Sequence, residues 1–212
     1  MKCVIKTILE CLMWIASKVY PYSLSGRLHG YRDVLYTMWI KKFVGQIGKN
    51  TIISYPCKFQ DGSKNIVIGE GTNIYSNCII ECWERYIEQY FSPSLIIGNN
   101  CRIGEYTHIT AINKIEIGDG LLTGRFVIVT DHSHGDISEY DADIPPASRK
   151  LKSKGDVVIG NNVWLGDKVS VLSGVHIGDN VIVGANSVVT KSVPSNCVVA
   201  GVPAKIIKQL DS

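Results

Sequence analysis

The sequence predicts a mainly β protein: a parallel β-helix with an α-helical segment at its N-terminus and one long protruding loop. Three observations predict this fold. An aliphatic residue returns at every sixth position over much of the chain, two stretches interrupt that repeat, and the first 45 residues carry a helical pattern instead. The chain has 212 residues, of which 45% are hydrophobic and 19% charged, and this composition excludes wholesale disorder.

Residues 1–45 are predicted to form amphipathic helices. Apolar residues recur at steps of three and four along a first helix that ends at Pro21. A second helix is predicted over about 25–43. Its apolar side is expected to contain Leu28, Tyr31, Leu35, Met38 and Trp39. The longest unbroken apolar run, 11–16, is shorter than a secretory signal or a membrane span requires.

The basic residues are concentrated at the N-terminus. Residues 1–50 contain eight Lys and Arg against two acidic residues, which gives +6, and since the whole chain carries +3, the rest carries −3. Two interpretations stay open for residues 1–45: packing on the body or on a neighbouring subunit, and peripheral contact with an anionic membrane surface. The small overall charge does not indicate a nucleic-acid partner.

The cysteines predict the cellular compartment. Seven cysteines without paired CxxC motifs do not suggest a disulfide scaffold or a zinc ribbon. A reducing environment is therefore expected, and we predict a cytoplasmic protein. The basic N-terminal segment leaves the inner face of the membrane open as its location.

The six-residue repeat is the feature that predicts the β-helix. Gly, Asn and Asp recur in the hexads, and neither these residues nor a period of six suits a helix. Short strands separated by turns satisfy the spacing, and if three hexads complete one coil, residues eighteen apart stack. The repeated aliphatic positions are Ile47, Ile53, Ile68, Ile74, Ile80, Ile97, Ile103, Ile109, Ile115, Ile159, Leu165, Val171, Ile177, Val183 and Val189. Cys78 and Cys101 occupy the small fifth position of their hexads and are expected to pack inward.

Two stretches leave the repeat. Residues 82–95 form one excursion, and residues 131–156 form a long loop that contains two histidines and several carboxylates. A long loop in a compact domain is commonly functional, so this one is the candidate site. The predicted organisation is a helical segment at 1–45, a β-helix domain at 46–204 that carries both excursions, and a C-terminal tail at 205–212.

Three motifs resemble those of the hexapeptide-repeat acyltransferases: NNVWLG (161–166), VVTKSVP (188–194) and AGVPAKII (200–207). The similarity is strong over 97–210 and patchy over 47–96. It favours the sugar O-acetyltransferases, which include maltose and galactoside acetyltransferases and enzymes of surface-polysaccharide synthesis. The resemblance implies a left-handed β-helix and a homotrimer with active sites between neighbouring prisms. It also implies transfer of an acetyl group from acetyl-CoA to a hydroxyl, usually on a sugar.

The segment VTDHSHG (129–135) matches the family's V-T-x-His pattern, and this resemblance implies that His132 is the general base. Imidazole titrates near neutrality and can take the proton of a sugar hydroxyl, which is otherwise a poor nucleophile. His134 is the rival base, because in an extended segment both side chains point to the same side. A carboxylate should orient the base. The spacing leaves three candidates open: Asp131, Asp136 and Glu139.

The resemblance also implies binding residues. The implied coenzyme contacts are Asp167, Ala185, Thr190, Lys191, Lys205 and Lys208. The lysines supply the cations that the coenzyme phosphates need, although two of them stand where related enzymes often have Arg. Trp164 is expected to line the pantetheine groove. On the acceptor side the resemblance implies Asn77, and Trp83 offers a stacking face for a sugar ring.

The predicted function is acetyl-CoA-dependent O-acetylation of a saccharide, with a surface-polysaccharide precursor as the expected acceptor and direct transfer in a ternary complex. Three alternatives stay open: N-acetylation of an amino sugar, a zinc-dependent hydratase like the γ-class carbonic anhydrases, and a non-catalytic assembly subunit. The hydratase requires a His-x4-His spacing that this sequence lacks, so no metal is expected.

Overall fold

The computed structural model describes residues 2–135 and 143–210. Two of the three candidate carboxylates, Asp136 and Glu139, lie outside the described residues. Two α-helices, α1 (Lys2–Val19) and α2 (Tyr22–Ile40), precede the β structure, and Pro21 separates them in an extended conformation. Within the described part of the chain, neither helix combines the length and the hydropathy needed to span a bilayer.

The end of α2 closes the N-terminal opening of the β structure. Thr37 and Ile40 are buried there, and the Thr37 hydroxyl accepts the backbone N–H of Ile53 at 2.8 Å. The five residues predicted on the apolar side of this helix lie exposed in the single chain, so that side does not pack on the prism. They are Leu28, Tyr31, Leu35, Met38 and Trp39. Apolar residues surround α2 on several sides, so its periodicity does not identify the face that packs.

Most strands form three parallel sheets, which we call A, B and C, and the chain visits them in that order in each coil. Sheet A contains β1 (Gln46–Ile47), β4 (Ile66–Ile68), β9 (Ser94–Ile97), β12 (Lys114–Ile117), β17 (Val157–Ile159) and β20 (His176–Ile177). Sheet B contains β2 (Ile52–Ile53), β5 (Asn73–Ile74), β10 (Arg102–Ile103), β13 (Leu122–Thr123), β18 (Trp164–Leu165), β21 (Ile182–Val183), β23 (Cys197–Gly201) and β24 (Ala204–Gln209). Sheet C contains β3 (Lys58–Gln60), β6 (Ile79–Cys82), β11 (His108–Ala111), β14 (Ile128–Thr130), β19 (Ser170–Val171) and β22 (Val188–Val189).

The register of the coils confirms the predicted stacking. Ile159 pairs with Ile177, eighteen residues later, as expected for three hexads per coil. One position needs correction: Ile117, not Ile115, pairs with Ile97 and Ile159. This coil carries two additional residues at the turn from sheet C to sheet A, and sequence spacing alone does not reveal such an insertion.

The aliphatic ladder forms the core. Its members point into the prism and are buried, because successive side chains of a strand alternate between the two faces of the sheet. Cys78 and Cys101 also pack inward, as predicted. Burial raises the pKa of the Cys101 thiol and raises the pKa of Cys82 to about 12, so both thiols are held in the unreactive form.

The prism has three vertices, which we name AB, BC and CA after the sheets that they join. The AB vertex is formed largely by asparagines in the left-handed region, such as Asn162 and Asn180, whose side-chain amides hydrogen-bond at 3.3 Å. Coils approach each other closely here. A Cβ on Gly118 would lie 2.7 Å from Oδ1 of Asn161, so only glycine fits.

The two excursions and the C-terminal end have structure of their own. The first excursion contains a hairpin of β7 (Arg85–Tyr86) and β8 (Gln89–Tyr90), and the second contains the antiparallel pair β15 (Ser133–His134) and β16 (Leu151–Lys152). At the C-terminal end, β24 pairs antiparallel with β23. Most of the segment expected as a tail therefore extends sheet B instead of leaving the domain.

Candidate active site

The candidate site is centred on Asp131 at the CA vertex, directly after β14. Its carboxylate is fully buried and accepts the backbone N–H groups of Ile112 at 2.9 Å and Asn113 at 2.8 Å. These two residues form the turn that carries the insertion described above. Oδ1 of Asp131 also lies 3.0 Å from Nδ1 of His132. The inserted turn therefore supplies the donors that allow a carboxylate to be buried beside the imidazole.

The contact with Asp131 determines which ring nitrogen of His132 is available. A carboxylate accepts hydrogen bonds, so Nδ1 of His132 carries the proton and Nε2 keeps its lone pair. The imidazole is 10% exposed. The hydroxyl of Ser173 donates to the backbone carbonyl of Asp131 at 2.6 Å and holds this vertex to the next coil. His132 is thus oriented as a general base requires.

His134 lies on β15 with a different partner. Its Nδ1 is 3.2 Å from the hydroxyl of Tyr86, and that hydroxyl donates its single proton to the carbonyl of Ala147. Nδ1 of His134 must therefore be the donor, and in the neutral ring its Nε2 keeps the lone pair as well. A neutral phenol stabilises an imidazolium less than a buried carboxylate does, so the geometry favours His132 over His134 as base.

The two excursions pack on each other beside this site. The side-chain amide of Gln89 bridges the backbone of Leu151, since its Oε1 accepts the N–H at 2.7 Å and its Nε2 donates to the carbonyl at 3.1 Å. The ring of Tyr86 packs between Trp83 at 5.7 Å and His134 at 5.3 Å. Trp83 thus lies in the same aromatic cluster as His134. Gln89 joins segments far apart in sequence, and no motif identified it.

A second carboxylate–histidine pair lies on the outer face of sheet C, next to the candidate site. Oε1 of Glu81 is 3.0 Å from Nε2 of His108. By strand register Glu81 lies beside Thr110, which lies beside Thr130. Burial acts to raise the pKa of Glu81, but the pKa is lowered, because the hydrogen bond from His108, the hydrogen bonds from Trp83 and Thr110 and the charge of His108 together outweigh burial. No sequence motif identified Glu81 or His108.

The residues expected to hold the coenzyme fall into two groups. One group lies on sheet B, where strand pairing forms an outer row from Trp164 through Ile182 and Val198 to Lys208, with Lys205 on the same last strand. Asp167 and Ala185 lie at the adjacent BC vertex. This outward-facing row is exposed at Trp164, half-buried at Ile182 and Val198, and ends at two exposed cations. It fits an extended ligand with an apolar arm and phosphates.

The other group lies at the CA vertex with the candidate bases. Thr190 and Lys191 follow β22, which lies two strands from β14 in sheet C. Two strand spacings are about 10 Å, so Lys191 is on the same edge as Asp131. Asn77 lies at the BC vertex with a φ of 63°, exposed and away from this edge. One chain therefore does not bring all the predicted residues together.

Asp167 has a structural partner. Its Oδ1 accepts the backbone N–H of Arg125 at 2.7 Å, a hydrogen bond between two coils of the BC vertex. A side chain with this role stabilises the turn whether or not it meets a ligand. The expected coenzyme contact of Asp167 stays a prediction.

Comparison with known proteins identifies the family. The bacterial transferase hexapeptide (six repeats) family matches residues 156–191. The chain is 39% identical to the Escherichia coli K12 protein WbbJ, assigned to lipopolysaccharide biosynthesis as an O-acetyl transferase, over 89% of this chain and 90% of WbbJ. The chain belongs to the hexapeptide-repeat acyltransferases. The galactoside O-acetyltransferase of Escherichia coli K12 is 31% identical over 81% of this chain and 67% of its own.

A solved structure with the same fold supports this assignment. The chain resembles the N-acyltransferase AntD from Bacillus cereus, solved as a mutant in complex with dTDP and coenzyme A, with a TM-score of 0.67 and 27% identity. The likeness covers 82% of this chain and 89% of AntD. As a hexapeptide-repeat acyltransferase, the protein is an enzyme whose domain is a left-handed parallel β-helix, which confirms the predicted fold class.

The zinc-dependent alternative finds no supporting geometry. Among residues 2–135 and 143–210, no three His, Cys, Asp or Glu side chains are placed to hold a metal ion. The relation to WbbJ and to the galactoside O-acetyltransferase assigns the chain to acyl transfer instead.

The pair of Glu81 and His108 predicts a pH-dependent contribution to stability. The pKa of Glu81 is lower in the folded protein than in the unfolded chain. Its ionised carboxylate therefore stabilises the fold at any pH above the pKa of the unfolded chain, and this stabilisation is lost as the pH falls through the pKa of the folded protein. His108→Leu removes the partner and should cost about 1–3 kcal/mol at neutral pH. In urea unfolding, the difference in the free energy of unfolding between His108→Leu and wild type should narrow as the pH falls below 4.5, the ordinary pKa of a glutamate side chain. A difference that stays constant with pH would show that the pair does not act through charge.

Proposed function

We propose that this enzyme transfers an acetyl group from acetyl-CoA to a hydroxyl of a saccharide, with His132 as general base and Asp131 as the carboxylate that orients it. The observation that carries the proposal is the 3.0 Å contact between the fully buried Asp131 and Nδ1 of His132. Nε2 of His132 takes the proton of the acceptor hydroxyl as its oxygen bonds to the acetyl carbon. The coenzyme leaves as the free thiol with that proton, so no covalent enzyme intermediate is needed.

The acceptor proposed is a precursor of surface polysaccharide. The relation to WbbJ and to a galactoside O-acetyltransferase supports a saccharide hydroxyl. The likeness to the N-acyltransferase AntD supports a second candidate, N-acetylation of an amino sugar. An oriented carboxylate–imidazole pair favours the hydroxyl, because an amine needs less activation before it attacks.

We further propose that the active enzyme is a homotrimer whose sites are shared between neighbouring chains. In one chain the candidate bases lie at the CA vertex, while Trp164, Lys205 and Lys208 lie on sheet B. A second prism against the CA vertex would complete the site. The BC vertex offers an apolar surface for such a contact, since Tyr106 and Phe126 stack there in the open with ring centroids 4.8 Å apart.

The backbone at this vertex supports the same proposal. Tyr106 and Phe126 have φ values of 60° and 58°, whereas the equivalent turn of a later coil uses Asn186. Bulky side chains are uncommon in this left-handed region and are retained only where the surroundings favour them.

A cytoplasmic location is proposed as well, because the described cysteines are free thiols.

Thiol release from acetyl-CoA against a panel of sugars and sugar nucleotides tests the chemistry. His132→Ala should lower turnover by about 10²–10⁴, the usual contribution of a general base, and His134→Ala should cost less. Asp131→Asn should lower turnover and change the pH–rate profile, because the amide cannot hold the imidazole in the same tautomer. Thermal unfolding of each variant controls for folding. Full activity in both histidine variants would refute the assignment, and amine-only acceptors would favour N-acetylation.

Subunit complementation tests the shared site. We expect a His132→Ala chain and a Lys205→Glu/Lys208→Glu chain each to be inactive alone, since each lacks one half of the site. Mixed trimers formed by joint refolding of equal amounts should recover about a quarter of wild-type turnover. At each interface the half with the base and the half with the lysines come from randomly chosen chains, so both halves are intact in about one interface of four. Mixing His132→Ala with Asp131→Asn is the matched control and should recover nothing. No recovery in the first mixture would contradict a site built by two chains.

A further inference from the structure

Helix α1 is an amphipathic helix whose apolar side is uncovered in the chain. The residues of that side recur at steps of three and four and are between 54% and 77% exposed. They are Val4, Ile8, Leu12, Ile15 and Val19. The core of the prism begins only at the end of α2, with Ile40 and Val44. The fold of the acyltransferase domain therefore does not explain why α1 has an apolar side.

The polar side and borders of α1 carry mainly positive charge. The helix contains three Lys and one Glu. Lys6 pairs with Glu10 at 3.7 Å, and Lys18 lies over the ring of Trp14 at 5.5 Å from its centroid. Lysines that flank an apolar stripe are typical of helices that lie in a membrane interface. Residues 1–50 carry a net charge of +6 and the rest of the chain carries −3. This concentration of positive charge around α1 favours contact with anionic surfaces.

The exposed side of α2 continues the same character. Its five outward apolar residues are uncovered, and a groove of about 400 Å³ beside them is lined by Gly30, Tyr31 and Val34, with Arg27 among its residues. Apolar surface of this extent on a soluble domain is typical of an interaction site. A second copy of the chain would bury the apolar sides but would bring like charges together. A negatively charged lipid surface satisfies both features.

We propose that α1 lies in the interface of an anionic membrane, with Leu12 and its apolar neighbours among the acyl chains and the lysines at the phosphates. The helix is 18 residues long, about 27 Å, and its charged residues and modest hydropathy place it along the surface and not across the bilayer. The docking holds the acyltransferase domain at the membrane. It does not depend on the acceptor proposed above.

Vesicle flotation of the full chain tests this docking. Wild type should float with vesicles of phosphatidylglycerol and phosphatidylcholine, not with phosphatidylcholine alone, and the bound fraction should fall as salt rises. Leu12→Glu, on the apolar side, should lower the bound fraction roughly tenfold. Ser17→Glu is the matched control, because it adds the same charge on the polar side and should bind nearly as wild type does. Deletion of residues 2–19 should abolish flotation.

Three outcomes would overturn the docking: failure of wild type to float, equal losses in Leu12→Glu and Ser17→Glu, or equal binding to both lipid mixtures. Sedimentation of the same proteins tests whether a second copy of the chain, and not lipid, covers the apolar side of α1. If Leu12→Glu lowers the oligomer mass while wild type ignores vesicles, a second copy covers α1. Thiol release with a soluble sugar should be unchanged in all of these variants, so failure of the docking leaves the proposed catalysis intact.

Discussion

The buried carboxylate of Asp131 is the constraint on which the candidate site depends. A buried charge is costly unless hydrogen bonds replace its contacts with water. Here the carboxylate of Asp131 accepts two backbone N–H groups and one imidazole N–H. The donors come from the turn at Ile112 and Asn113, where one coil is longer than the regular eighteen residues. The irregular turn and His132 therefore both bond to the buried carboxylate, and the three form one hydrogen-bonded unit.

The regular part of the fold determines what this unit faces. Parallel coils repeat at a strand spacing of about 4.8 Å, so residues at one vertex form a straight edge, and residues of different sheets stay apart however the loops move. Lys191 shares an edge with His132, whereas Trp164 and Lys208 lie on sheet B. A rigid prism cannot close on itself as a hinged enzyme does. A neighbouring prism could bring the sheet B residues of one chain next to His132 of another, and this is the reason for proposing a shared site.

The sequence predicted the periodic features well and the long-range contacts poorly. The ladder from Ile47 to Val189 follows from a period that each coil repeats, and its one displaced position, Ile115, lies at the inserted turn. The face of α2 that packs on the prism, at Thr37 and Ile40, was not identified from the sequence, because apolar residues lie on several sides of the helix and tertiary contacts decide which side packs. Gln89 with Leu151 joins residues 62 positions apart, and Glu81 with His108 joins two strands. Such pairs have no local pattern, so only the folded chain reveals them.

Nitrogen NMR of the protein labelled with ¹⁵N-histidine reports the tautomer of His132, because the two ring nitrogens of a neutral imidazole have well-separated shifts. The spectrum of His132→Gln assigns the resonances by difference. We expect neutral His132 to carry its proton on Nδ1, donated to Asp131, with Nε2 unprotonated and able to act as base. A neutral His132 protonated on Nε2, or an even mixture of the two tautomers, would show that Asp131 does not orient the imidazole.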